Sequence, residues 1–193
     1  MRKKVKLAFE YLERDLNVVR PNDLTSIIGG IQRDSAGNII FVATGSVNVS
    51  HPSGYGGTAG MIAGYILADD GTQIIAYKKA SGDAGWDTDC HGVSFGDGEF
   101  WINDDQVNGL LSGDNYSAIP SGSYYPGDKV VYYDSNGNVV HSATITSTDG
   151  GSGTTVYGQG GLEVDNHYDS IENGFSPSGY SYYQVYRQGQ FIG

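Results

Sequence analysis

Short runs of β-branched and aromatic residues alternate along most of this chain with clusters of Gly, Asp, Asn and Ser, which is the pattern of strands joined by turns. Asn38 to Val49 reads as one strand, entered through the turn Ser35-Ala-Gly-Asn38. Met61 to Leu67 and Gln73 to Tyr77 flank Ala68-Asp-Asp-Gly-Thr72, a hairpin signal of the Asp-Gly kind. A second hairpin is expected where Val130 to Tyr133 and Val139 to Thr146 flank Asp134-Ser-Asn-Gly137. Ser147 to Gly153 then reads as a flexible turn, Thr154 to Tyr157 as a returning strand, and Gly179 to Arg187 as a closing strand with a tyrosine-rich face. Helical spacing occurs in Asn103 to Leu111, where Val107, Leu110 and Leu111 follow a capping residue, and again within residues 1–30. His51 to Gly57 reads as a glycine-rich loop, and Ser112 to Gly127 as a loop linking the helix to the second hairpin.

The 193 residues suffice for one domain with a sizeable core. Thirty glycines and fifteen tyrosines, beside modest aliphatic content, agree with strands and turns rather than a helical bundle. No stretch approaches the roughly 20 consecutive apolar residues of a spanning helix, so no membrane span is expected. Charge is unevenly spread. Residues 1–30 hold six Lys or Arg against four acids, net +2, whereas residues 31–193 hold five against eighteen, net −13. An acidic body excludes nucleic acid as a partner, since a phosphate backbone asks for the opposite field. It suits a cationic partner or, more simply, the solubility of a secreted protein.

Residues 1–30 lack the continuous apolar core of a Sec signal. They resemble a double-glycine leader. Counting back from Gly29-Gly30, apolar residues fall at Ile27, Leu24, Val19 and Leu16, an amphipathic stripe suited to a peptidase groove. The resemblance implies cleavage after Gly30, a peptidase-containing ABC exporter as partner, and secretion of residues 31–193 to the periplasm or the exterior. The residues alone also fit an ordinary amphipathic helix, broken by Pro21 and closed by Gly29-Gly30.

Cys90 is the only cysteine, so it makes no internal disulfide and is either a buried small apolar residue or a thiol kept for its reactivity. Its neighbours Asp87, Asp89, His91 and Gly92 favour reactivity, because a core cysteine usually sits in an apolar run. Cys90 lies on a tight loop leading toward the helix at 103–111. A nucleophilic thiol needs a base, and four histidines exist: His51, His91, His141 and His167. His141 has the most informative context, near the start of the second strand of the 130–146 hairpin. His51 has no Cys, His or Asp partner at ligand spacing, and no metal or cofactor is expected.

Asp89-Cys-His-Gly-Val, followed by Pro126-Gly-Asp-Lys-Val-Val-Tyr-Tyr133 and Val139-Val-His-Ser-Ala143, resembles the NlpC-type and CHAP branch of papain-like peptidases and amidases. His91 stands where those families carry a small residue. The runs Arg33 to Asn38, His51 to Tyr55, Ala68 to Thr72, Gly82 to Gly92 and Phe100 to Val107 are similar to papain-like domains at the ends of Rhs-type secreted toxins. The resemblance implies an α+β, papain-like fold in residues 31–193, with a β-rich lead-in over 31–80. In that fold the nucleophile Cys90 starts a helix packed on an antiparallel sheet that carries His141. Folding the strands about the 147–153 turn sets residues 158–161 opposite His141. Gln159 is then the candidate that orients the imidazole, with Glu163, Asp165 and His167 as rivals. His91 is an electrostatic helper or a solvent-facing loop residue.

The function implied is a secreted cysteine hydrolase that cleaves an amide bond in peptidoglycan stem peptides or another peptide, as an antibacterial toxin with an immunity protein among its partners. Acyl transfer or deamidation of a protein target would use the same residues. A non-catalytic binding protein on the same scaffold would use the tyrosines and the acidic face instead.

Overall fold

The computed structural model describes residues 30–50, 58–80, 88–149, 153–159, 166–173 and 180–189. Among them the fold is α+β, with two antiparallel sheets and two short helices. The first sheet has the order β1-β2-β3-β4, from β1 (Phe41–Ser50), β2 (Thr58–Leu67), β3 (Gln73–Lys79) and the two-residue β4 (Trp101–Ile102). The second has the order β5-β10-β6-β7-β8-β9, from β5 (Tyr116–Ile119), β6 (Lys129–Tyr133), β7 (Val139–Ser147), β8 (Thr155–Gln159), β9 (Asn166–Ser170) and β10 (Tyr182–Gln188). Helix α1 (Cys90–Phe95) leads into β4; a 3-10 turn at Asp104–Gln106 leads into helix α2 (Val107–Gly113).

Turn chemistry accounts for the hairpins. In the β6–β7 turn, Asp134 Oδ1 accepts the Asn136 and Asn138 amides at 2.8 Å each, while Gly137 takes φ +82°. The near-identical run before β1 repeats the device: Asp34 Oδ1 accepts the Ala36 and Asn38 amides, and Gly37 takes φ +88°. The Pro-Gly-Asp run is explained by a tie between strands. Gly127 N–H donates to Ile145 O and Ile145 N–H to Asp128 O. The buried Asp128 carboxylate receives Arg187 Nε at 2.8 Å and Nη2 at 2.7 Å, and Arg187 stacks over Tyr125 at 4.3 Å. The start of β6 is thereby clamped to both β7 and β10.

The second sheet separates two apolar clusters. Val131 and Tyr133 face Ile66, Ile74, Phe95, Phe100 and Leu110, whereas Val130 and Tyr132 cluster with Ala143, Ile145, Val156 and Val185 of the same sheet. A strand covered on both faces has no polar side, which is why 130–133 is an unbroken apolar run.

Three strands differ from the sequence reading. β5 falls in the stretch read as a loop, β9 follows the returning strand, and β4 is too short to show a period. β9 is polar and mostly exposed, β5 exposes its two middle residues, and both are strands because β8 and β10 offer them backbone partners. Cys90 begins a six-residue helix, as the resemblance implied, where its neighbours alone suggested a loop toward residue 103. β1 begins at Phe41; residues 33 and 39 meet only in an isolated bridge. No helix of the described residues is long and apolar enough to cross a membrane.

Candidate active site

The run Asp89-Cys-His-Gly92 makes the turn into α1, and each of its residues has a distinct physical task. Asp89 is the N-cap: its Oδ1 accepts the Gly92 amide at 2.7 Å and the Ile102 amide at 3.2 Å. One carboxylate oxygen thus starts the helix and ties it to β4. Burial, reinforced by the charge of Cys90, pushes the Asp89 carboxyl up to about 7, against the pull of His91 and of the two amide donors. Gly92 is required by close approach. A Cβ there would lie 1.6 Å from Phe100 O and 2.2 Å from Thr88 Oγ1.

Cys90 is the first residue of α1 and is 7% exposed. The helix packs on β7 and β8, the strands that carry His141, Ser142 and Gln159. Burial opposes ionisation of the thiol. Charge attraction from His91 and His141 outweighs it and holds the thiol well below its ordinary pKa. The structure therefore brings Cys90 and His141 together from positions 51 residues apart in the chain. His141 is fully buried, pairs with Tyr132 across β6–β7, and has its ring 5.5 Å from that tyrosine ring.

His91 is not the solvent-facing loop residue that one reading of the sequence allowed. It is fully buried, with Nδ1 2.8 Å from Ser142 Oγ and Nε2 2.9 Å from Asp104 Oδ1. Burial disfavours its charge, but the charge of Cys90, the hydrogen bond to Asp104 and the charge of Asp89 raise its pKa well above the ordinary value. Ser142 Oγ also donates to Cys90 O at 3.3 Å, so strand, helix and 3-10 turn converge on one imidazole.

Gln159 is buried at the end of β8, paired with Asn166 of β9. Continuing the Thr144↔Tyr157 register by two places sets it across from Ser142, one place from His141. His167 is exposed on β9, opposite Gly158. His51, Glu163 and Asp165 lie outside the described residues. Sequence reasoning passed over Ser142 and Asp104. A serine inside the buried strand Val139-Val-His-Ser-Ala143 was a usable signal, because a buried hydroxyl needs a partner. Asp104 gave none among so many acids.

A cavity of about 550 Å³ opens at the far end of α1, lined by Ser94, Phe95, Asp114, Tyr125, Lys129 and Arg187 among others, but not by Cys90 or His141. Burial pushes the Lys129 amine there down to about 8, against the charge of Asp97. Among the described residues no group of His, Cys, Asp and Glu is arranged to hold a metal ion. No family model, no curated protein and no solved structure matches the chain. A thiol drawn toward its thiolate between two imidazoles is, chemically, a nucleophile for an acyl carbon.

Proposed function

We propose that the chain is a secreted, papain-like cysteine hydrolase that cleaves an amide bond. The reading is carried by one observation: the lone cysteine stands at the first position of α1 with the β7 imidazole acting on its thiol. His141 takes the thiol proton, and Cys90 Sγ attacks the amide carbonyl carbon. The carbonyl electrons move onto oxygen, where the Cys90 N–H is the candidate donor, since Asp89 already takes the Gly92 and Val93 amides. Collapse expels the amine, which leaves with the proton from His141. Water, deprotonated by His141, then releases the acyl group from sulfur. Gln159 orients the imidazole, with Glu163 as its rival.

The resemblance of the Asp-Cys-His-Gly and Pro-Gly-Asp runs to NlpC-type and CHAP-type enzymes supports peptidoglycan stem peptides as substrate. The likeness to Rhs-type ends supports an antibacterial toxin with an immunity protein. Export through the double-glycine leader supplies the route.

The test is to incubate the full chain and its Cys90→Ala and His141→Ala variants with purified peptidoglycan and with stem peptides, reading products by mass spectrometry. Loss of one amide bond is expected, falling by about 10³-fold or more in either variant while thermal unfolding changes little. A fully active Cys90→Ala protein overturns the reading. For the leader, the exported chain should begin at Ile31, and an exported chain retaining Met1 to Gly30 overturns that part alone.

A further inference from the structure

His91 is fully buried between a carboxylate and a hydroxyl, partners that suit a charged imidazole. Ser142 Oγ carries one hydrogen and lies 3.3 Å from Cys90 O, a carbonyl that can only accept, and 2.8 Å from His91 Nδ1. With the hydroxyl hydrogen on Cys90 O, Nδ1 carries a hydrogen and donates it to Ser142 Oγ. Nε2 faces Asp104 Oδ1 at 2.9 Å, and an ionised carboxylate only accepts, so Nε2 carries one as well. An imidazole protonated at both nitrogens is a cation. This one is fully buried, next in the chain to the thiol, and held by groups 13 and 51 residues away.

We propose that His91 is a second histidine of the site, a fixed imidazolium set by Asp104 and Ser142 that keeps Cys90 in its thiolate form while His141 remains the proton acceptor and donor. The inference rests on the hydrolase reading for the role of His141, but not for the state of the thiol. It makes His91 a positioning residue that acts through the sulfur. The directions already described agree: the Cys90 thiol lies well below its ordinary range and the His91 imidazole well above. The ionisable groups facing the pair are Asp89 at the helix cap, Asp104 on the 3-10 turn and His141 on β7.

The chain's single cysteine gives a clean readout, because alkylation by iodoacetamide reports on Cys90 alone. The rate is measured against pH for the full chain and for His91→Asn, Asp104→Asn and His141→Asn. Asp104→Asn is the decisive variant. The Asp104 side chain is 61% exposed, and Asn keeps an acceptor oxygen at the same place while removing the charge. The midpoint is expected to rise by a unit or more in His91→Asn, about tenfold slower alkylation at acidic pH, and by a smaller step in Asp104→Asn. Midpoints for both variants equal to that of the unaltered chain overturn the proposal. If His91→Asn does not fold, Asp104→Asn decides by itself: a raised midpoint supports the proposal and an unmoved one overturns it. The assay needs no substrate. A chain that cleaves nothing yet shows these shifts loses the hydrolase and keeps the cationic His91; one that cleaves through Cys90 without them does the reverse.

Discussion

The two sheets use the same strand chemistry and reach opposite ends. In the first, the segment 42–48 of β1 is exposed along its whole length, and the sheet meets the core through alternate residues of β2 and β3, such as Ile66, Ile74 and Ala76. The second is covered on both faces at β6 and β7. None of the buried polar side chains among the described residues lies on β1 to β4, whereas His141, Ser142 and Gln159 all lie on β7 and β8. A polar group inside a doubly covered sheet costs free energy unless it is partnered. Helix α1 brings the partners, Cys90 and His91. The first sheet leaves β1 to solvent; the second keeps its polar side chains buried.

Substitutions break or sharpen this contrast, beginning where α1 meets the sheets. Gly92→Ala drives a Cβ into the Phe100 carbonyl, which is backbone and cannot turn aside. We expect a loss of about 4 kcal/mol or more, or no folded protein, by thermal and denaturant unfolding. Asp128→Ala leaves Arg187 without its paired carboxylate and frees the start of β6; a loss of about 2–3 kcal/mol is expected in urea unfolding. Retention of full stability would show that the clamp is dispensable.

Asp114 lies where the sheets approach each other, with its Oδ1 accepting the amide of Asp69 in the β2–β3 turn. Burial, then the charges of Asp69 and Asp70, push its carboxyl up to about 7 against that amide donor. The folded chain therefore binds this proton more tightly than the unfolded chain does. The contribution is fully present at pH below 3.8, and stability falls as pH rises from there to about 7. Asp114→Asn should stabilise the chain by about 1–2 kcal/mol at pH 8 and by almost nothing at pH 4, read from melting temperature against pH. An equal effect at both would rule out the titration. The smallest effect belongs to the exposed strand: Val47→Thr on β1 should change stability by less than about 0.5 kcal/mol in the same melts.

Much of the scaffold was legible because its causes are local. Asp34 and Asp134 build their turns from amides two and four residues ahead, so near-identical runs give near-identical turns. The hairpin at 68–72, the helix at Val107 to Leu111 and the apolar run of β6 likewise follow from neighbours in sequence. The lone cysteine and the strand histidine could be singled out for the same reason, each by its immediate context.

What the sequence by itself determined is thus the set of turns, most of the strands and the two residues most worth watching. Only the tertiary structure decided that Gly92 must yield to Phe100, and that β10 inserts between β5 and β6. It also decided that His91 is buried, because the groups that hold its charge, Asp104 and Ser142, come from a turn 13 and a strand 51 residues away. A turn is closed by atoms a few bonds apart, whereas a buried charge is set by whichever distant groups the packed fold presses against it.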